Sequence, residues 1–110
     1  AMAERDSEGQ PLSAACIYEL TGRGAQPQWW SLSALTSGGA ASSRQSVIDS
    51  ASAVREADGS IRITAGREPQ PGNWLRLPAG RKFAFHVLAT PSAGRTGGLA
   101  ASLRIERKGC

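Results

Sequence analysis

His86 is the single histidine of this 110-residue chain, so any imidazole-based catalytic site must include it. Ser-His-Asp and Cys-His sites place such a histidine beside an activated nucleophile. No serine lies in a Gly-x-Ser-x-Gly elbow, and neither Cys16 nor Cys110 lies in a catalytic cysteine motif. Phe85 and Val87 flank His86 in a strand-like pattern, which predicts a surface or cross-strand histidine. The sequence therefore assigns no catalytic residue.

Cys16 and Cys110 are the only two cysteines, and they lie too far from each other and from His86 to form the closely spaced ligand pairs of a metal site. We predict no metal and no cofactor. Two cysteines allow one intramolecular pairing, and a cysteine at a fraying terminus is readily explained as an anchor. We predict a Cys16–Cys110 disulfide, which would persist only in an oxidising compartment. The alternative is two free thiols, with Cys16 in the core and Cys110 in solvent.

Three tryptophans are the largest side chains available for binding. Trp29 and Trp30 are neighbours, so on a strand they face opposite sides, and only one can enter the core. The other is covered by a loop or exposed, where it could stack on a sugar or on a partner side chain. Trp74 lies in a proline-rich segment and is predicted to close one end of the fold, with Asn73 bonded to nearby backbone. The candidate ligand-binding residues are Trp29, Trp30, Asn73, Trp74, Arg76 and His86.

The chain carries a net charge of +4, but its basic residues are scattered, and eleven of the thirteen are arginine. We find no aromatic platform among basic residues, so no nucleic-acid partner is predicted. No stretch reaches the roughly 18 apolar residues of a spanning helix. Residues 1–3 are interpreted as a cloning scar, and a membrane anchor is expected in a removed segment upstream of them.

Short runs of alternating apolar and polar residues indicate strands, and no long stretch keeps a helical period. Asp58-Gly59 predicts a tight hairpin turn, because the aspartate–glycine pair favours a positive φ. We predict a single all-β domain at 4–110, a jelly-roll-like sandwich of six to eight short antiparallel strands. The predicted extended segments are 16–20, 29–35, 46–50, 53–56, 61–64, 73–77, 82–89 and 100–107.

Several short motifs resemble the bacterial domain-of-unknown-function family 1214. They are Asp6 to Leu12, Tyr18-Glu19-Leu20, Trp30-Ser31-Leu32, the Asp58-Gly59 hairpin, Gly72-Asn73-Trp74-Leu75, and Pro78-Ala79-Gly80 before the Phe83 strand. The chain departs from the family where His86 and Leu88 replace an Arg-x-Tyr pair and where Leu35 replaces a tyrosine. The resemblance implies a jelly-roll-like β-sandwich in a cell-envelope setting.

These observations favour a non-enzymatic binding or assembly module of the bacterial envelope. We expect a periplasmic location, with anchorage to the inner membrane in the full-length protein, and an envelope protein or glycan as partner. The alternative is a glycan-active enzyme or carbohydrate-binding accessory domain, with Trp29 or Trp30 as a sugar platform and a carboxylate pair as acid and base.

Overall fold

Two four-stranded β-sheets enclose a hydrophobic core in the computed structural model, which describes residues 2–23, 29–36, 39, 44–89 and 103–110. The strands are β1 (Met2–Ala3), β2 (Ile17–Gly22), β3 (Trp30–Thr36), β4 (Val47–Asp49), β5 (Ile61–Gly66), β6 (Asn73–Arg76), β7 (Phe83–Ala89) and β8 (Arg104–Gly109), with a 3-10 turn at Arg44–Ser46. The first sheet has the order β1-β7-β3-β4 and the second β6-β5-β2-β8. The predicted all-β sandwich is confirmed, whereas its jelly-roll connectivity stays a prediction. Within these ranges we find no helix capable of spanning a membrane.

Alternation along the strands builds the core from both sheets. In β7, Phe83, Phe85 and Val87 are buried, as the sequence pattern predicts. Phe83 and Phe85 pack edge-to-face on each other and on Tyr18 of β2, with ring centroids 4.9 to 6.2 Å apart. Edge-to-face contacts are favourable because the positive ring edge meets the negative ring face. These aromatic rings therefore join the two sheets.

Two strand assignments need correction or extension. Met2 and Ala3, which the sequence interpretation excludes from the domain, pair with His86 and Phe85 of β7. Residues 100–102, at the start of the last predicted strand, lie outside the described residues, and β8 runs from Arg104 to Gly109. Ile105 is buried while Arg104 and Glu106 are exposed, so the predicted alternation of this strand is correct.

β5 and β6 pair in parallel, whereas the sequence predicts antiparallel strands throughout. Ile63 lies beside Asn73, and Gly66 lies beside Arg76. After Gly66 the chain must therefore run back over the length of these four strand residues before β6 begins. That return is about 10 Å, which the six linking residues span easily at about 3.3 Å each. Gly72 has a φ of +77° at the end of this crossover, a conformation that glycine adopts without strain.

Two turns share one construction, each built on an arginine and a glycine four residues later. Arg5 Nη1 donates to the Gly9 carbonyl and Arg55 Nη1 donates to the Gly59 carbonyl, both at 2.9 Å. Gly9 and Gly59 have φ values of +84° and +85°. Each arginine also forms an isolated β-bridge with the residue six positions ahead. The Asp58-Gly59 turn is therefore present, but 53–56 forms only this bridge rather than a strand.

Cys16 and Cys110 form the predicted disulfide, with an S–S distance of 2.02 Å. Ile17 of β2 is paired with Gly109 of β8, so the two cysteines flank neighbouring ends of adjacent antiparallel strands. The bond closes a sequence separation of 94 residues. It links the end of β8 to the residue that precedes β2, within the second sheet.

Candidate functional site

The outer face of the first sheet carries exposed apolar side chains beside the buried Ser31 and Ala84, and we call it the apolar face. Leu88 is 50% exposed and Val47 is 41% exposed. By strand alternation, the side chains on this face are Met2, Ser31, Ser33, Leu35, Val47, Asp49, Ala84, His86 and Leu88. Asp49 is the one carboxylate among them, and its Oδ1 accepts hydrogen bonds from the N–H groups of Ala51 and Ser52. Exposed apolar side chains gathered on one sheet face are typical of a contact site.

Two of the sequence-predicted residues belong with this face. His86 lies between Met2 and Ser33 in the cross-strand register and is partly buried, so the prediction of a cross-strand histidine is correct. Trp29 directly precedes β3 and is 48% exposed. Alternation back from Ser31 places Trp29 on the same side of the sheet. The structure therefore groups His86 and Trp29 with the exposed leucine and valine.

Trp30 is fully buried in the core, which removes it from the candidate ligand-binding residues. Its carbonyl accepts a hydrogen bond from the N–H of Ser50, and its own N–H donates to Ser50 Oγ. Its Nε1 has no hydrogen-bond partner among the residues that the structure describes. A ring without solvent access cannot stack on a surface ligand, so the sugar-platform role is wrong for Trp30.

The outer face of the second sheet is charged, in contrast to the apolar face, and we call it the charged face. Its side chains are Glu19, Thr21, Arg62, Thr64, Trp74, Arg76, Arg104 and Glu106. Arg62 lies 3.2 Å from Glu19 through Nη1 and 3.3 Å from Glu56 through Nε. Ion pairs this exposed contribute little to stability but keep the surface well hydrated.

Asn73 uses both of its side-chain polar atoms within the fold. Its Oδ1 accepts a hydrogen bond from the Val54 N–H at 2.8 Å, and its Nδ2 donates to the carbonyls of Val54 and Arg62 at 2.7 and 3.0 Å. The predicted bonding to nearby backbone is therefore present. These bonds also explain why 53–56 is not a strand, because the Asn73 amide occupies the polar groups of Val54.

A cleft of about 300 Å³ opens beside Asn73 on the charged side of the molecule. It is lined by Val54, Arg55, Glu56, Arg62, Thr64, Pro71, Gly72 and Asn73. Its polar walls are engaged internally, since Arg62 pairs with Glu56 and Arg55 holds the turn at Gly59.

Trp74 and Arg76 follow Asn73 on β6 but do not join it in a binding site. Trp74 is partly buried, and its Nε1 donates to the Gly66 carbonyl at 3.0 Å. It thus stabilises the β5–β6 crossover from the charged face rather than closing an end of the sandwich as expected. Arg76 is exposed, while its carbonyl accepts a hydrogen bond from the buried Ser46 Oγ.

Asp58, in the second of the two similar turns, has a pKa below its ordinary value. Ser60 is the main cause, because its Oγ and N–H both donate to Asp58 Oδ1, at 2.6 and 2.9 Å. Arg23 lies 3.2 Å from Oδ2 and favours the charged form further. The hydrogen bonds of the Asp58 carboxylate stabilise an exposed turn. In the ranges that the structure covers, no group of three or more histidine, cysteine or acidic side chains is arranged to hold a metal ion.

A family model described as "Protein of unknown function (DUF1214)" matches residues 1–90. The chain belongs to the DUF1214 family. The resemblance read from the sequence motifs is therefore confirmed for this DUF1214 domain. A comparison with curated proteins finds no match.

Solved structures share the fold of this DUF1214 domain. The VPA0106 protein of Vibrio parahaemolyticus matches with a TM-score of 0.78 at 15% identity, covering 97% of this chain and 29% of that chain. An uncharacterised protein of Burkholderia cenocepacia matches with a TM-score of 0.61 at 23% identity, covering 86% of this chain and 26% of that chain. The chain thus spans less than a third of the length of either protein.

Proposed function

We propose that this DUF1214 domain is a non-enzymatic binding or assembly module of the bacterial cell envelope. The apolar face carries the proposal. Its exposed side chains include Met2, Val47 and Leu88, and exposed apolar residues gathered on one sheet face are typical of a protein contact. The exposed Trp29 beside that face supports a contact surface, because tryptophan is enriched where interfaces contribute most binding energy.

The disulfide supports the envelope part of the proposal. The domain contains a Cys16–Cys110 disulfide, and disulfides persist in the oxidising periplasm, whereas the cytoplasm keeps thiols reduced. In this proposal the module works in the periplasm, held to the inner membrane in the full-length protein. Measuring whether Cys16 and Cys110 are oxidised in cells tests this periplasmic location directly.

The assembly function is tested by the size of the native protein in gently solubilised envelopes of its host. We expect the protein to migrate in a native gel as part of a larger complex, and Leu88→Asp to return it to the size of the free protein. Val54→Asp is the matched control, because Val54 is 72% exposed but lies at the cleft, away from the apolar face. A wild-type protein that migrates only at its free size contradicts the function.

A carbohydrate-binding accessory role is the second candidate, and exposed Trp29 is the observation that favours it. An exposed indole ring can stack on a sugar face. Retention of the purified domain on peptidoglycan, lost in Trp29→Ala but kept in Leu88→Asp, would establish this role. Equal retention of both variants and wild type would exclude it.

A further inference from the structure

One end of the sandwich collects basic side chains that are widely spaced in the sequence, and we call it the basic end. At this end β2 and β7 begin, and β3, β5, β6 and β8 finish. We propose that the basic end binds the anionic headgroups of a phospholipid bilayer, an activity beyond the proposed function. Its basic side chains, all exposed, are Arg44, Arg67, Arg76, Arg81, Lys82 and Lys108.

Contacts between the two sheets bring Arg67, Arg81 and Lys82 together. Arg67 follows β5 and donates from Nη2 to the carbonyl of Gly80. Gly80 directly precedes Arg81 and Lys82, which lead into β7 at the border of the apolar face. The Arg81 carbonyl accepts a hydrogen bond from the N–H of Ala14, ahead of β2, at 2.9 Å. The end of β5 and the segment before β2 therefore both meet the start of β7.

Arg44 and Arg76 lie at the same end through a second set of contacts. Arg76 pairs with Gly66, the last residue of β5 and the neighbour of Arg67 in the chain. The Arg76 carbonyl accepts a hydrogen bond from Ser46 Oγ at 2.8 Å. Ser46 ends the 3-10 turn that Arg44 begins, so the turn places Arg44 on this side of β6.

Lys108 and an exposed apolar side chain complete the basic end. Gly109, which follows Lys108, pairs with Ile17 at the start of β2. Ile17 is 38% exposed, and a Cβ at Gly66 would lie 3.6 Å from its Cγ1. Binding at a bilayer surface increases with buried apolar area and with the attraction of basic residues to anionic lipids. Ile17 among these cations supplies both contributions.

The surplus positive charge of the described residues lies at the basic end. Glu4, Glu68 and Glu106 are the acidic side chains near it within this part of the chain, and Glu106 lies 3.4 Å from Lys108. The other described residues hold six basic and six acidic side chains. Four basic side chains of this end form no ion pair with a described residue, namely Arg44, Arg76, Arg81 and Lys82. These cations are available to lipid phosphates.

A nucleic acid is the competing anionic partner. Bases of a single strand stack on exposed aromatic rings, and a duplex is commonly read by an α-helix in its major groove. Trp74, the aromatic residue next to Arg76 on the outer face, is partly buried and has its N–H bonded to the Gly66 carbonyl. The described ranges include no α-helix. A bilayer fits better, because its phosphates require only a positively charged surface.

Cosedimentation of the purified domain with lipid vesicles tests the inference. Vesicles of phosphatidylethanolamine and phosphatidylglycerol present an anionic surface, and vesicles of phosphatidylcholine present a neutral one. We expect the wild-type domain to bind the anionic vesicles and not the neutral ones. Arg81→Glu combined with Lys82→Glu should weaken that binding about tenfold or more, because each reversal replaces an attraction with a repulsion.

Arg23→Glu combined with Arg104→Glu is the matched control. It changes the net charge by the same amount at the opposite end of the sandwich, where β2 ends and β8 begins. Its binding should stay close to that of the wild type, because charges more than about 10 Å from the lipid are screened. Equal losses in the two variants would show that net charge alone drives binding and would overturn the inference. Circular dichroism verifies that both variants are folded.

Two further measurements identify the anionic partner. Inorganic phosphate, compared with chloride at equal ionic strength, should leave vesicle binding unchanged, and release by phosphate alone would make free phosphate the ligand. Tighter binding to a duplex oligonucleotide than to vesicles, lost in the Arg81, Lys82 variant, would make the partner a nucleic acid. Either result overturns the bilayer. If the wild-type domain does not bind anionic vesicles, the inference fails, while the assembly function remains to be decided by the native gel.

Discussion

Asn73 holds the segment before the 55–61 turn against β5 through three hydrogen bonds to Val54 and Arg62 backbone groups. Asn73→Ala leaves these groups without their partner, so we expect the free energy of unfolding to fall by about 1 to 3 kcal/mol. Urea denaturation gives the measurement. Arg76→Ala on the same strand is the control, expected within about 0.5 kcal/mol of wild type. Equal stabilities of the two variants would contradict the structural role of Asn73.

Asp58 gives a prediction on pH. Its pKa is lowered in the folded state, so its contribution to stability is complete above the ordinary aspartate pKa of about 3.9 and is lost as pH falls through the lowered value. Ser60→Ala removes the shorter of the two hydrogen bonds from Ser60. The titration midpoint of the Asp58 carboxyl carbon by NMR should then rise toward the ordinary value. An unchanged midpoint would show that Ser60 does not set it.

The position of a side chain could be predicted from the sequence where local geometry determines it. It could not be predicted where the tertiary environment determines it. Alternation predicts that Trp29 and Trp30 face opposite sides, but it cannot say which side is the core. The bonding of Asn73 to backbone follows from its chemistry. The position of Trp74 depends on the crossover between β5 and β6, which no local signal in the sequence encodes.

Among the elements, the turn at Gly59 has the sharpest substitution test. Gly59 has a φ of +85°, and a Cβ there would meet no heavy atom within 4 Å. Gly59→Ala should therefore be destabilising through conformation alone, by about 1 to 2 kcal/mol. Gly59→Asn should be less destabilising, because asparagine tolerates this region better. Thermal melts of the two variants give the comparison, and a stability of the alanine variant equal to or above that of asparagine would disprove it.

The strands were predictable from composition and alternation, but one pairing was not. Phe83 to Ala89 and Ile61 to Gly66 stand out because apolar residues alternate with polar or small ones. The parallel pairing of β5 and β6 depends on how far the 67–72 segment returns along the sheet, which is a property of the assembled fold. The 53–56 segment leads into the Asp58-Gly59 turn signal of a hairpin, yet the Asn73 side chain takes up the bonds that a neighbouring strand would need.

At the scale of the whole molecule, the disulfide is expected to be the largest single contribution to stability. The chain-entropy model gives about 4 to 5 kcal/mol for a closed loop of this length, as an upper value. In the double variant Cys16→Ala, Cys110→Ala, the free energy of unfolding measured by urea denaturation should be lower by up to that amount. The wild-type protein measured with reductant provides the matched condition. If the free energy of unfolding falls by less than about 1 kcal/mol both in the double variant and in the reduced wild-type protein, the denatured chain retains compact structure.

The apolar face is also a property of the whole molecule, and the sequence analysis missed it for that reason. Val47 and Leu88 lie 41 positions apart in the numbering, on strands separated by β3 in the sheet. Val47 appears beside Ile48 in the sequence without a recognisable face. Only the pairing of β3 with both β4 and β7 brings these side chains onto one surface. Sheet order was therefore the missing information.

The Cys16–Cys110 bond also governs how the domain responds to mechanical load. Because the bond joins position 110 to position 16, a force applied at positions 1 and 110 bypasses everything enclosed by the bond. Stretching can then extend only the 15 residues ahead of Cys16, about 54 Å at most, whereas the reduced 110-residue chain can reach about 400 Å. Tension applied at positions 1 and 110 would thus bypass β2 to β8, whereas β1, which lies ahead of Cys16, could be pulled from the first sheet.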